Sequence, residues 1–184
     1  IIFFVLYSFF AQGQTFDQIQ DQVEQHMSEK EWELAAEKLE YCLSHFDLDP
    51  ATEAGLMHNL GYSLLEAQDY IGAKFYLETT LQKKYSIYKA KNGDYAKTEE
   101  LLGDLSLKIG QFEKAQIYFL DAQRVINDYL GTNSDENVEA LIRLGQFAEA
   151  VGDFTGAHHY FDSALLISEL IHHAESADYA NVAN

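Results

Sequence analysis

The sequence is poor in cysteine, in basic residues and in the signatures of catalysis. One cysteine, Cys42, stands among 184 residues, so no internal disulfide and no paired-cysteine redox or zinc motif can form. Lys and Arg number 12 against 30 Asp and Glu, a formal net charge of −18. Phosphate backbones and anionic membranes need clustered Lys or Arg. Nucleic-acid and membrane-surface partners are therefore not expected, and the acids read as a solvated surface. No Gly-rich phosphate loop, no His-Glu-x-x-His and no Gly-x-Ser-x-Gly elbow occurs. The expectation is that this stretch of chain is not an enzyme and needs no cofactor and no metal.

What is present begins with an apolar run. Ile1 to Phe10 holds no charge, and none appears before Asp17. The run is too short to cross a bilayer, which takes about 20 residues as a helix. With Ala11 and Gly13 as small residues at cleavage-determining positions, residues 1–13 have the h-region and cleavage site of a signal peptide. The basic n-region and the initiator Met would lie in front. Export to the periplasm or the outside is expected, with the mature chain starting at Gln14.

The rest of the chain repeats itself. "LGYSLLEAQDYIGAKFYL" starts at Leu60, "LGDLSLKIGQFEKAQIYF" at Leu102 and "LGQFAEAVGDFTGAHHYF" at Leu144. Gly61, Gly103 and Gly145 are equally spaced. The same interval links Leu60, Leu102 and Leu144, then Tyr70, Phe112 and Phe154, then Ala73, Ala115 and Ala157. It links Tyr76, Tyr118 and Tyr160, and also Leu77, Phe119 and Phe161. A fixed period of this size signals stacked supersecondary units. Leu101, Leu102, Leu105 and Ile109 fall at helical spacing. Gly110 and Gly152, with Gln68 in their place one unit earlier, mark where the first helix of each unit stops. A second helix follows, from about Phe112 through Ile126. The glycines inside the first helices and the alanines of the second read as close helix crossings.

These residues resemble the tetratricopeptide repeat. That family carries Leu-Gly in its first helix, then an aromatic, a small Ala, an aromatic and a second small residue. Here they are Leu102-Gly103, Phe112, Ala115, Phe119 and Ala122, and again Leu144-Gly145, Phe154, Ala157, Phe161 and Ala164. The second unit departs by ending in Thr80. A weaker copy comes first, with Trp32, Ala35, Leu39 and Cys42, and with Val23 in place of the glycine. The family's usual period is about 34 residues, and the interval from Gly61 to Gly103 is longer. The surplus lies between units, where Asn92-Gly93-Asp94, Asn133-Ser134-Asp135 and Ser176 give turn or cap signals. The longer period is similar to the kinesin-light-chain-like subclass, which in bacteria is common upstream of caspase-like CHAT domains.

The resemblance implies an all-α, right-handed α-solenoid of helix-turn-helix units over residues 14–184. The units are about 16–50, 51–93, 94–135 and 136–177, with a fifth opening at 178–184. Asp178-Tyr179-Ala180 stands two full periods after Asp94-Tyr95-Ala96, so the protein is expected to continue past Asn184. The function implied is a protein-interaction scaffold, the front part of a longer exported bacterial protein. Two alternatives stay open. One is the regulatory repeat region of a CHAT-type cysteine protease, bound to a downstream domain of its own chain. The other is the periplasmic sensor region of a signalling kinase or transcription regulator.

Single residues add little chemistry. His158-His159 and His172-His173 are adjacent pairs, and neighbours on a helix diverge too far to share an ion. His158 and Asp162 share a face, but two ligands make a poor site. One of His158 and His159 is expected beside the inter-helix seam. Cys42 occupies the small-residue column and reads as a buried, inert thiol. In the resembling family the first helices line the binding groove. The positions this implies as a partner-binding face are His58, Tyr62 and Glu66; Lys97, Glu100, Asp104 and Lys108; and Glu139, Gln146 and Glu149. Tyr62, Asp104 and Gln146 stand where a carboxylate clamp would need Asn, which opposes capture of a free C-terminus. The surplus of acids favours a basic or mixed-charge protein or peptide.

Overall fold

The computed structural model of the protein describes residues 14–182, with side chains as far as His172. The expected signal segment, residues 1–13, lies outside the described residues. Eight helices occur among the described residues, and no strand. They are α1 (Phe16–Ser28), α2 (Trp32–His45), α3 (Pro50–Glu66), α4 (Tyr70–Tyr88), α5 (Gly93–Lys108), α6 (Phe112–Leu130), α7 (Asp135–Ala150) and α8 (Phe154–Val182). One compact unit ends at Ala73 and a second begins at Lys74. In the first, α1 packs on α2 and α2 on α3; in the second, α5, α6, α7 and α8 pack each on the next.

The odd-numbered helices start at side-chain caps. Thr15 and Gln18 form a reciprocal capping box before α1. Asp49 accepts from the amides of Ala51 and Thr52, with Pro50 in the first turn. Asn92 accepts from the Tyr95 amide and Ser134 from the Asn137 amide. The two later caps are the signals expected between units.

Each odd helix then turns into its partner through the same device. Lys30, Gln68, Gly110 and Gly152 adopt φ of 60°, 65°, 75° and 84°. The next residue's amide then reaches back along the helix, Glu31 to His26, Asp69 to Leu64, Gln111 to Ser106 and Asp153 to Ala148, each at 2.8 Å. This satisfies carbonyls that the helix end would leave bare. The step from Lys30 to Gln68 is shorter than the equal steps from Gln68 to Gly110 and from Gly110 to Gly152. A one-period reading therefore passes over the Lys30 turn. Helix α1 is complete, and Val23 is buried where the later units have glycine.

Packing follows the repeat columns. Ala35, Leu39 and Cys42 are buried in the first unit; Ala115, Phe119, Ala122, Ala157 and Ala164 are buried in the second. Thr80, in the small-residue column, is buried with its hydroxyl donating to the Tyr76 carbonyl at 2.7 Å. The aromatics opening the second helices are not all core: Phe112 is 45% exposed and Phe154 72%. A helix's first side chain leans back over the preceding turn, away from the helix-pair seam. The turn expected at Ser176 is also missing, for α8 continues to Val182. Residues 173–182 hold neither Gly nor Pro, and their Ala and Glu favour helix.

Candidate partner-binding faces

In the first unit His58, Tyr62 and Glu66 recur every fourth residue along α3 and share one face. All three are partly buried. The Tyr62 ring meets Trp32 of α2 edge-on, with centroids 5.4 Å apart, so part of this face is committed to packing.

In the second unit Lys97, Glu100, Asp104 and Lys108 lie on α5, and Glu139, Gln146 and Glu149 on α7. Lys97, Lys108, Glu139, Gln146 and Glu149 are exposed. Glu100 is not an exposed position: it is 7% exposed. The reason is Arg143, which the sequence reading did not single out. Its guanidinium reaches Glu100 Oε2 from Nε at 3.5 Å and donates from Nη1 to Asp104 Oδ2 at 2.6 Å. One arginine thus ties two turns of α5 to α7. Burial pushes the Glu100 carboxyl up to about 7; Arg143 opposes this, while Asp104 and Glu139 add to it. Only two arginines occur in the chain, and that scarcity is the one signal that could have drawn attention to Arg143.

The start of α5 carries further buried charge. Thr98, Glu99 and Glu100 stand one period after Leu56, Met57 and His58 and one period before Ala140, Leu141 and Ile142. Polar groups therefore occupy columns that are mostly apolar in the neighbouring units. Glu99 is buried, with Oε1 accepting from Lys91 at 3.0 Å and Oε2 making no hydrogen bond among the described residues. Lys91 also lies 4.9 Å from the Tyr95 ring centroid and 3.9 Å from Asp121, which in turn pairs with Arg124. Lys84, likewise buried, donates to the Asp94 carbonyl at 2.8 Å and to Thr98 Oγ1 at 3.0 Å. Burial lowers its pKa to about 8.

Elsewhere the chemistry is sparse. Cys42 is fully buried, and burial raises its thiol pKa, which leaves it protonated and unreactive. His158 and Asp162 do share a face, Nδ1 to Oδ1 3.5 Å apart, but His158 and His159 are both exposed, so neither flanks the seam. His26, Glu29 and Glu31 gather ligand-type atoms within 4.8 Å of one another at the α1–α2 turn. There His26 Nδ1 already engages Glu31 at 2.6 Å across the turn that Lys30 makes, while Glu29 accepts from Gln25.

No protein-family model and no curated protein matches the sequence. Among solved structures, the crystal structure of BtubC (BKLC) from P. vanneervenii is similar, with a TM-score of 0.70 at 18% identity over 83% of this chain and 62% of that one. The chain thus spans less than two thirds of that structure's length. At such identity the likeness concerns the fold: this chain is an all-α helical repeat, and folds of that kind present extended surfaces to other proteins.

Proposed function

We propose that the chain is a protein-interaction scaffold of tetratricopeptide-like repeats, forming the front part of a longer exported bacterial protein. The observation that carries this reading is the run of exposed polar side chains along the first helices of two successive units. Lys97 and Lys108 are on α5, and Glu139, Gln146 and Glu149 are on α7. Helix pairs of regular period hold them in register, and acids outnumber bases on α7. A basic or mixed-charge protein segment is the partner such a face selects, with electrostatics steering its approach. Export rests on residues 1–13 and is tested by sequencing the N-terminus of secreted material, where Gln14 should stand first.

Photo-crosslinking tests the binding reading. A benzoylphenylalanine at Gln146 should capture a protein partner, identified by mass spectrometry, through a Lys- or Arg-bearing segment. The same probe at Ile117, exposed on α6, should not. Capture only from Ile117, or none from either position, would sink the reading.

A further inference from the structure

A cleft of about 240 Å³ opens on the second unit between its two tight turns, at Phe112 on one side and at Val151 and Asp153 on the other. Its floor is core: Leu144, Phe147 and Ala148 are all buried, and Leu144 and Phe147 pack with Ala115 and Phe119 beneath it. Phe112 and Val151 are each more than 40% exposed and stand as apolar walls. Glu113 and Asp153 supply two carboxylates to the lining, and no Lys, Arg or His is among the lining residues.

Size and charge together narrow the occupant. Clefts that bury small-molecule ligands run from about 300 to 1,000 Å³, so this one takes a side chain rather than a whole ligand. An apolar floor under a carboxylate rim complements an aliphatic or aromatic residue flanked by cations. We infer that the cleft docks one apolar side chain of a Lys- or Arg-rich protein segment, at the turn edge of the helix pairs. This rests on the scaffold reading but assigns a second contact point, separate from the exposed polar positions of α5 and α7.

The test uses the isotope-labelled chain and two synthetic probes, Gly-Ser-Lys-Lys-Leu-Lys-Lys-Ser-Gly and the same peptide with Ser for Leu. Amide shifts on titration with the Leu peptide should centre on Gln116, Phe147 and Val151, with affinity at least tenfold above the Ser peptide. Gln116→Trp, which fills the cleft from an exposed position, and Glu113→Lys should each weaken the Leu peptide at least fivefold, with unchanged melting curves. Equal affinity for the two peptides, or shifts gathered at Glu139, Gln146 and Glu149, would overturn the cleft and leave the scaffold reading in place. No shift with either peptide would also overturn it, while the scaffold reading would still be decided by crosslinking at Gln146.

Discussion

The ring of Phe119 occupies the space that a side chain at Gly103 would need: a Cβ there would sit 2.6 Å from the ring's Cε1. Phe161 stands to Gly145 in the same way, at 2.5 Å. The glycine of α5 or α7 and the buried or part-buried aromatic of the following helix thus form one joint, repeated one period on. Gly103→Ala is expected to destabilise by about 1–3 kcal/mol through overpacking, despite the better helix propensity of Ala. Gly103→Ala combined with Phe119→Leu should lose less than the two single changes added together. Additive losses in denaturant titrations would separate the two residues.

The alanine columns make a parallel case. Ala115 and Ala157 are buried against their partner helices, so Ala115→Leu or Ala157→Leu should cost about 1–3 kcal/mol. Thermal melts matching the wild type would remove them from the interface.

The left-handed turns give changes of opposite sign. Gln68 at φ 65° and Lys30 at φ 60° carry side chains where glycine fits without strain. The left-handed conformation costs an L-residue about 1–2 kcal/mol. Gln68→Gly should therefore stabilise by about 1 kcal/mol, while Gly110→Ala should destabilise by a similar amount. Urea midpoints measured side by side would show both.

The buried charges of α4 and α5 contribute to the pH dependence of stability. Glu100 has its folded pKa raised to about 7 from 4.5, so between those values the folded chain binds more protons than the unfolded one. Stability from this group is present below pH 4.5 and declines as pH rises to 7, by roughly 3 kcal/mol. Lys84 has its folded pKa lowered to about 8 from 10.5. There the unfolded chain holds the extra proton, so stability rises as pH climbs from 8 to 10.5. The combined contribution of these two groups is lowest between pH 7 and 8. Glu100→Gln should flatten the acid side and Lys84→Met the alkaline side. A pH series of melts in which neither variant changes the profile would refute the assignment.

Much of this was legible from spacing, and the rest was not for definite reasons. Gly110 and Gly152 announce their turns because only glycine takes that conformation freely. Gln68 is found only by its register with them. Lys30 is hidden because the first interval is shorter than the rest and a lysine gives no conformational signal. Charge misled the reading of Glu100. An acid in a helix usually faces water, and what covers it here is Arg143, brought near by the fold from the following unit of the chain. Pairing across that distance leaves no local pattern. The cleft beside Phe112 is likewise a product of two turns that meet only in three dimensions.

A chain that says one phrase several times risks being read one phrase out of step, during folding or when its gene is copied. Thr98, Glu99 and Glu100 penalise such a slip in the folded chain, because their contacts are not reproduced by the other copies. If α3 took the place of α5, Met57 would face the ammonium of Lys91 and His58 the guanidinium of Arg143. If α7 took it, those two cations would meet Leu141 and Ile142, and Lys84 would find Ala140 where Thr98 had bonded it. Either exchange strands cations against groups that cannot answer them. The polar triplet therefore acts as an address. A chain in which another copy stands at this place should therefore fold with lower stability, since Lys84, Lys91 and Arg143 lose the partners they have here.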